Sequence, residues 1–434
     1  MKRLLLTLFL TCAAATALLA QNNTVEFNVE GIKVIFKPTV KDVISVRMYF
    51  RGGVADYTQP QAGIEHLTLG ATAECGTKKY DANQFRDIAD RYGVEIGGSA
   101  DYDYGDINMI CISKYFNQGW DLFSEAVMNP VFDDNEVQLL KNKLLADVKQ
   151  RESDPDARIE HLLLQNAFTG TIYATDPKGT EESIAPLNAA SLRAHYQGLL
   201  NKNRMFIVVA GKISQQELAE KIKTSFAAIP SKPFQPLAYQ APVWNDNKLL
   251  AENRSLATNY VNAVMNAPQM SSPDYIPYHM GISALSGGLF AEVRTKRNLS
   301  YAPGAMAANM QMPYAVMYVS TPSPKEAIKA MMDELYNLMH RGITSSGLKE
   351  LKSSFITSTY VKQQESNAMT GSLGVAEIMG DWKLSDGAAD KVEEVTIDQI
   401  QKAINKYIVG VRWAYLGDIN LAHDADNELR IPVR

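Results

Sequence analysis

The feature that most constrains the fold is an internal repeat with a period of slightly more than two hundred residues. Three pairs of segments recur in the same order, namely 63–74 with 281–292, 148–153 with 361–366, and 206–211 with 412–417. The first pair is identical at six of twelve positions, and the offsets lie between 206 and 218 residues. Matches that keep their order along a chain of this length indicate two duplicated domains and not one long core.

The predicted elements mix strands and helices. Alternating or β-branched segments predict strands at 31–37, 43–51 and 102–113. Apolar residues at helical spacing predict helices at 82–92, 117–128 and 135–152. This mixture predicts an α+β fold with two homologous domains, in each of which helices pack on an antiparallel-rich sheet.

Prolines mark the boundary between the predicted domains. Four of them, at positions 230, 233, 236 and 242, rule out a continuous helix there. We therefore expect a linker at 226–250 between an N-terminal domain at 21–225 and a C-terminal domain at 251–434.

The N-terminus has the pattern of a secretory signal peptide. Lys2 and Arg3 precede an apolar segment at 4–10, and an alanine-rich stretch runs to Ala20. This pattern predicts a signal peptide at 1–20, which is too short for a permanent membrane anchor. We therefore expect an exported chain without a transmembrane anchor, periplasmic if the host is Gram-negative.

Charge and cysteine content limit the classes of partner. The chain has a formal net charge of -5 and lacks the basic stripe that indicates a nucleic-acid partner. Cys75 and Cys111 are the cysteines of the expected mature chain. In an oxidising compartment they either pair or remain buried free thiols. The predicted helix around Cys75 and strand around Cys111 favour free thiols.

The segment around His66 begins like a zinc site and does not complete it. In the motif H-x-x-E-H, two histidines four residues apart bind zinc, and the glutamate activates a water molecule. Counted from His66, the glutamate position holds Leu69 and the second histidine position holds Gly70. Neither residue donates a lone pair or transfers a proton, so the catalytic part of the motif is missing.

Several segments resemble one family of enzymes. They are G-I-E-H at 63–66, C-G-T at 75–77, N-P-V-F at 129–132, R-E-S-D-P-D-A-R at 151–158 and F-A-E-V-R-T-K-R-N-L-S-Y at 290–301. In that order they are similar to G-L-A-H, K-G-T, N-P-x-F, R-E-D-D-P-E-A-R and F-x-E-V-R-E-K-R-G-L-A-Y of the pitrilysin/insulinase zinc metallopeptidases. The resemblance covers essentially the whole mature chain and is greatest to the two-domain branch, similar to subunits of mitochondrial processing peptidase. It implies a metallopeptidase fold of the LuxS/processing-peptidase type.

The resemblance implies that the zinc ligands are lost. The two histidines and the later glutamate that hold zinc in the family correspond to His66, Gly70 and Asp147, and the catalytic glutamate corresponds to Leu69. Hydrolytic zinc needs three protein ligands and an open position. We therefore expect this chain to bind no metal alone. His66 is then either a vestigial ligand or, as we favour, a partly buried helix histidine. Asp147 is either a vestigial ligand or an ordinary exposed residue.

The residues that correspond to the family's substrate-binding pair are present. The resemblance implies that an arginine and a tyrosine, seven residues apart in the second domain, hold the peptide and stabilise the oxyanion. Arg294 and Tyr301 have this spacing, and a charged fork and a phenol donor suit that role. The alternative is an exposed helix arginine and an unrelated tyrosine at a strand end. The family's glycine-rich loop corresponds to S-G-G at 286–288, a segment typical of a turn.

Three functional hypotheses follow. The first is a catalytically deficient subunit of an exported heteromeric zinc peptidase. In it, Arg294 and Tyr301 hold peptide substrates, and a homologous partner with an intact H-x-x-E-H carries the zinc. The second is a stand-alone peptide-binding or scaffold protein of the same fold. The third is an active enzyme that recruits His161 or Glu74 as an unusual ligand.

Overall fold

The chain forms two compact units that are not contiguous in sequence. A computed structural model describes residues 23–237, 239–425 and 428–429, so the predicted signal peptide at 1–20 lies outside the described residues. Unit 1 comprises residues 23–144, 177–236 and 362–378. Unit 2 comprises residues 145–176, 237–361 and the described residues from 379 onwards. Each unit contains one sheet with helices packed on it, as the predicted α+β fold class requires.

Unit 1 is built on a six-stranded sheet. Its strands are β1 (Val25–Val29), β2 (Ile32–Pro38), β3 (Val43–Arg51), β4 (Glu95–Ala100), β5 (Tyr104–Ile112) and β6 (Met205–Gly211). They lie in the order β1-β2-β6-β3-β5-β4. All neighbours are antiparallel except β2 and β6, which are parallel.

Eight helices belong to the first half of the described chain. They are α1 (Ile64–Glu74), α2 (Ala82–Tyr92), α3 (Phe116–Met128), α4 (Asp134–Ser153), α5 (Pro155–Phe168), α6 (Glu181–Ile184), α7 (Ala189–Leu199) and α8 (Gln215–Phe226). Helix α1 packs on β4 and β5, and α7 packs on α1. The N-terminus of α2 is closed by Asp81, whose side chain accepts a hydrogen bond from the Gln84 N–H.

Unit 2 is built on a five-stranded sheet. Its strands are β7 (Leu249–Asn253), β8 (Asn259–Asn266), β9 (Gly304–Ala308), β10 (Tyr314–Thr321) and β11 (Arg412–Gly417). Their order is β7-β11-β8-β10-β9, with β7 and β11 parallel and the other pairs antiparallel.

The helices of the second half flank the strands of unit 2. They are α9 (Tyr275–Leu289), a π-helix (Phe290–Lys296), α10 (Pro324–Arg341), α11 (Ser345–Lys362), α12 (Ser366–Ile378), α13 (Lys383–Asp386), α14 (Ala388–Glu394), α15 (Ile397–Tyr407) and α16 (Ile419–Asp424). Helices α9, α10 and α15 pack around one core, whose fully buried residues include Tyr278, Met331 and Trp413.

The duplication inferred from the sequence is visible in the sheet order. The order β2-β6-β3-β5-β4 in unit 1 corresponds strand for strand to β7-β11-β8-β10-β9 in unit 2. Each sheet has one parallel pair, and in each sheet that pair joins the first and last of these strands along the chain. This shared connectivity supports two copies of one ancestral domain.

Each half of the sequence contributes one helix to the other unit. Helix α5 packs on β8 and β11 of unit 2, and α12 packs on β3 and β6 of unit 1. Both helices follow the repeated segments at 148–153 and 361–366. The predicted contiguous domains, 21–225 and 251–434, therefore differ from the compact units in these two exchanged segments.

Helix α12 covers a polar face of unit 1. Alternate residues of β3 point to this face. The Ser45 hydroxyl lies 2.8 Å from that of Thr370, and the Arg47 Nη2 donates to Asn367 Oδ1 at 2.8 Å. Glu377 is 4% exposed and accepts from Lys33 at 2.9 Å and from Arg51 at 2.5 Å.

Helix α5 has the corresponding place in unit 2. Asn166 on this helix donates to the carbonyl of Trp413 at 2.9 Å and to that of Lys248 at 3.1 Å. Ile159 and Phe168 on the same helix are fully buried. A buried amide and buried apolar residues together attach the helix to the sheet.

The segment between the two halves is only partly a linker. Helix α8 ends at Phe226 and β7 begins at Leu249, close to the predicted bounds of 226–250. Within this segment Trp244 is 1% exposed, and its indole N–H donates to the Ala167 carbonyl at 2.9 Å. The second part of the predicted linker is therefore packed into unit 2, and the division between the units follows Pro236.

Close packing explains why the sequence did not reveal β4. This strand contains Gly97 and Gly98, which in a sequence favour a turn. A Cβ on Gly98 would lie 2.2 Å from the carbonyl oxygen of Leu69. The glycine therefore permits α1 to approach the strand, a requirement set by the packing and not by strand propensity.

Both cysteines of the described chain are free and buried, as the free-thiol interpretation predicted. Burial raises the pKa of Cys75 and of Cys111 to about 12. Both thiols are therefore protonated at neutral pH and unreactive. A search of the described helices for one long and apolar enough to cross a membrane finds none.

His279 on α9 makes unit 2 sensitive to acid. Its buried Nε2 has no hydrogen-bond partner among the described residues, and burial lowers its pKa to about 4. This histidine stays neutral in the folded chain down to about pH 4 but ionises near pH 6.5 in the unfolded chain. The folded state therefore loses stability as the pH falls from 6.5 to about 4. We expect it to contribute about 2–3 kcal/mol of destabilisation between pH 7 and pH 4.

The measurement is the free energy of unfolding by denaturant titration at several pH values. His279→Phe should flatten the pH dependence below pH 6.5 by that amount. The same substitution at exposed His340 on α10 is the matched control. Equal pH dependence of His279→Phe and the native chain would contradict the expectation.

Candidate functional site

The positions that would hold and activate zinc are apolar in the folded chain. Leu69 is fully buried, and its side chain occupies the space over Gly105, where a Cβ would lie 2.3 Å from Leu69 Cδ1. A Cβ on Gly70 would meet the Gly98 carbonyl oxygen at 3.6 Å and Leu140 Cδ2 at 3.7 Å. A backbone carbonyl and a leucine methyl thus lie where the family's second histidine would project, and neither is a side-chain ligand for zinc.

His66 makes a structural contact instead. It is half-buried on α1, and its Nδ1 accepts a hydrogen bond from the Ala100 N–H at 3.3 Å. An accepting Nδ1 requires the neutral tautomer with the proton on Nε2. His66 therefore covers one backbone donor at the end of β4, an edge strand of the sheet.

The other proposed ligands are not assembled with His66. Asp147 is exposed on α4. His161 lies in unit 2 and pairs through Nδ1 with Glu152 at 3.2 Å. Glu74 is exposed at the end of α1. Within the ranges that the structure describes, no three His, Cys, Asp or Glu side chains form a group able to hold a metal ion.

The residues present therefore do not fit a hydrolytic zinc ion, which needs three donors and a base. We expect the purified mature chain, prepared without chelator, to carry less than about a tenth of an equivalent of zinc. Its unfolding temperature should be unchanged by excess EDTA, because no folding free energy depends on a metal. Elemental analysis and thermal unfolding test this, and stoichiometric zinc would contradict it.

A buried charged cluster lies under the start of α1. Glu65 is fully buried, and its Oε2 lies 3.3 Å from His195 Nε2 and 3.7 Å from Arg204 Nη2. Arg204 also pairs with Asp56 and donates from Nε to the Arg51 carbonyl at 2.7 Å. Burial raises the pKa of Asp56, and the charge of the nearby Arg204 opposes part of this rise. The resulting pKa is about 6.

This cluster is not apparent in the sequence. Its members come from a loop, from α1, from α7 and from the residue that precedes β6, so no local motif contains them. The sequence holds only an indirect signal, the glycine pair at 52–53: in the structure Gly52 has a φ of 128°, and a Cβ there would lie 1.6 Å from Asp56 Oδ2. The cluster joins α1 to its neighbours electrostatically.

Arg294 and Tyr301 are brought together in unit 2. The guanidinium carbon of Arg294 lies 4.1 Å from the centroid of the Tyr301 ring and 4.8 Å from that of Phe290. Tyr301 is 79% exposed and Phe290 is 47% exposed. The predicted pair is thus part of a surface stack of Phe290, Arg294 and Tyr301. Phe290 was not predicted from the sequence as a member.

The local backbone explains the seven-residue spacing. Val293 is fully buried, and Leu299 packs against the core of unit 2. The Leu299 N–H donates to the Val293 carbonyl at 2.8 Å, so the chain closes back on the π-helix. Asn298 has a φ of 51°, a left-handed conformation that asparagine tolerates at the end of a helix. The two anchors leave Arg294 and Tyr301 at the surface.

The segment 286–288 is helical and not a turn. It lies inside α9 (Tyr275–Leu289), which corrects the expectation from its glycines. The Ser286 hydroxyl accepts a hydrogen bond from the Ala305 N–H at 3.0 Å. It therefore satisfies a donor of the edge strand β9, as His66 does for β4.

Two family models match consecutive parts of the chain. The model described as "Insulinase (Peptidase family M16)" matches residues 33–177, and the model described as "Peptidase M16 inactive domain" matches residues 186–355. The chain belongs to the insulinase family, peptidase family M16. This confirms the resemblance inferred from the motifs. The second match includes the M16 segment that carries Arg294 and Tyr301.

Related proteins are distant in sequence and similar in length. "Uncharacterized zinc protease YmxG" of Bacillus subtilis is 21% identical over 380 residues, covering 85% of this chain and 92% of that protein. "Non-peptidase homolog YmxG" of Helicobacter pylori is 23% identical over 314 residues, covering 69% and 70%. The relatives thus include a protein named as a zinc protease and a protein named as a non-peptidase homolog.

A solved structure shows the same fold. It is a peptidase M16 inactive domain from Pseudomonas fluorescens, which superimposes with a TM-score of 0.78 at 22% identity. The match covers 91% of this chain and 98% of that one. The two-sheet α+β architecture is therefore that of M16 proteins.

Proposed function

We propose that this M16 chain is a non-catalytic subunit of an exported, heteromeric zinc peptidase. A homologous partner with an intact H-x-x-E-H supplies the zinc, and this chain supplies Arg294 and Tyr301 to hold the peptide substrate. The single observation that carries the proposal is an asymmetry. The zinc positions are filled by buried Leu69 and by Gly70, whereas the arginine–tyrosine pair is present, with Tyr301 exposed and Arg294 half-buried beside it.

The chemistry of the two half-sites supports this division of roles. The side chains of Leu69 and Leu140 and the glycine at position 70 offer no lone pair to zinc and no group that transfers a proton. The Arg294 side chain makes no hydrogen bond or ion pair with any described residue, so its N–H donors are free for a ligand. A guanidinium and a phenol are suited to a peptide carbonyl and to the negative charge that develops on it during hydrolysis. Export rests on the signal peptide predicted at 1–20.

Arg294→Ala tests the role in the assembled enzyme. Turnover of a peptide substrate should fall about 100-fold, the usual effect of losing one donor to a developing oxyanion. Zinc content and assembly, measured by elemental analysis and size-exclusion chromatography, should not change. Arg297→Ala in the same segment is the matched control, because Arg297 is exposed and only 3.8 Å from Glu292. Unchanged turnover of Arg294→Ala would contradict the proposal.

A stand-alone peptide-binding or scaffold protein is the second candidate. The name "non-peptidase homolog" of the Helicobacter pylori relative fits this candidate as well as the first. A pull-down of the tagged mature chain from its own host, with mass spectrometry, distinguishes the two. A stoichiometric partner with an intact H-x-x-E-H supports the heteromer, whereas a lone monomer or homodimer supports the second candidate.

A further inference from the structure

We infer that the stack of Phe290, Arg294 and Tyr301 selects peptides that carry an acidic side chain, and that Phe290 positions Arg294 for this contact. The inference rests on the proposed function in one respect, because it assumes that peptides bind at this surface. It adds the chemical class of the peptide and a third residue.

The stack restricts how Arg294 meets a ligand. Aromatic rings lie 4.1 Å and 4.8 Å from its guanidinium carbon, and cation–π attraction favours this arrangement. With aromatic partners for its planar group, the arginine contacts a ligand through its N–H edge. That edge has no acceptor among the described residues. A planar fork of unpaired donors matches a carboxylate, which accepts two parallel hydrogen bonds.

The surrounding charge favours an anion. The segment 290–297 contains three basic residues and one acid. Lys296 forms an ion pair with Glu292, and Arg297 lies 3.8 Å from the same carboxylate. One carboxylate thus faces two cations, and Arg294 remains uncompensated. This local excess of two positive charges, on a chain of net charge -5, attracts an acidic ligand more strongly than a neutral one.

Exposed apolar side chains in the stack and in the strand that follows it along the chain suit the flanking residues of such a peptide. Tyr301 is 79% exposed, and Met306 on the edge strand β9 is 70% exposed. Exposed aromatic and methionine side chains are enriched where proteins bind peptides. The combination indicates a peptide with a glutamate or aspartate next to an apolar residue.

The test is fluorescence anisotropy of a labelled twelve-residue peptide with the mature full-length chain at low ionic strength. The probe contains Glu-Glu-Leu in a background of alanine, glycine and serine, with an amidated C-terminus. Replacing both glutamates by glutamine should weaken binding at least tenfold. Binding of the acidic probe should also weaken with added salt, because exposed charges are screened.

Variants separate the roles of the three residues. Arg294→Ala should weaken binding of the acidic probe at least tenfold more than it weakens binding of the glutamine probe. Phe290→Ala should weaken the acidic probe about fivefold, whereas Phe290→Tyr, which keeps a ring, should bind normally. Arg297→Ala is the matched control for net charge and should change binding less than threefold.

Each outcome decides one question. Equal binding of the glutamate and glutamine probes would overturn the acidic preference while leaving peptide holding, and hence the proposed function, intact. A control peptide with a free C-terminal carboxylate and no glutamate should not bind, whereas the amidated Glu-Glu-Leu probe should bind; this result supports the inference. Binding of the free-acid control peptide without binding of the amidated probe would show that Arg294 recognises the C-terminal carboxylate of the peptide. That result would overturn the inference. Normal binding by Phe290→Ala would overturn the positioning role alone.

Discussion

Residues 21–236, expressed without the rest of the chain, are expected not to fold. This fragment ends where unit 1 passes to unit 2 and lacks α12, which covers β3 and β6. Tyr49 and the partners of Glu377 would lose their cover, and Arg47 would lose Asn367. The loss of a whole buried helix exceeds the roughly 5–15 kcal/mol by which a domain is stable. Circular dichroism and two-dimensional NMR of the fragment check this.

Fusion variants make the reason specific. Residues 21–236 joined by a flexible linker to 362–380 should fold, because they contain all of unit 1. Co-expression of 21–236 with 237–434 should also restore folding, since each fragment then receives its missing helix. A chain that is folded first and then cleaved in the exposed segment 231–236 should stay associated for the same reason. A well-folded isolated fragment 21–236 would contradict the exchange.

Arg204→Met is expected to destabilise unit 1 by about 3–5 kcal/mol, the typical cost of removing one partner from a buried ion pair. Arg204 is 8% exposed and faces Glu65 and Asp56. Without it, two carboxylates remain in a site where burial already raises the pKa of Asp56 to about 6.

The sign of the pH dependence follows from that pKa. Because the folded-state pKa of Asp56 lies above its unfolded value of 3.8, its ionisation costs stability as the pH rises from about 4 to about 6. The effect of Arg204→Met should therefore be larger at pH 7.5 than at pH 5, as measured by denaturant titration. Lys212→Met, which breaks an exposed pair with Asp42, is the control and should change stability by less than about 0.5 kcal/mol. Equal effects of the two substitutions would contradict the argument.

Local patterns predicted many elements well. The strand predicted at 43–51 and the helix predicted at 82–92 have the same bounds as β3 and α2. Both have clear periodicity, and α2 has a capping residue at its start. The glycines of β4 and of α9 favour turns in a sequence, but neither pair forms one. In β4 their small size permits α1 to approach the strand, and in α9 they lie within a continuous helix.

The candidate site divides in the same way. The identities of Leu69 and Gly70 exclude the zinc chemistry of the motif whatever the fold, since no arrangement gives a leucine or a glycine side chain a lone pair. The spacing of Arg294 and Tyr301 could likewise be read from the sequence. That Phe290 joins them in a stack, and that Glu65 meets His195 and Arg204, could not be read.

The sequence by itself determined the duplicated α+β organisation, the family and the loss of the zinc ligands, because these depend on periodicity and on residue identity along short segments. Only the tertiary structure decided which unit receives α5 and α12, and which side chains surround Arg294 and Glu65. These outcomes depend on contacts between residues far apart in the chain, such as Ser45 and Thr370. Such contacts arise from the shapes and charges of surfaces that exist only after the sheets have formed.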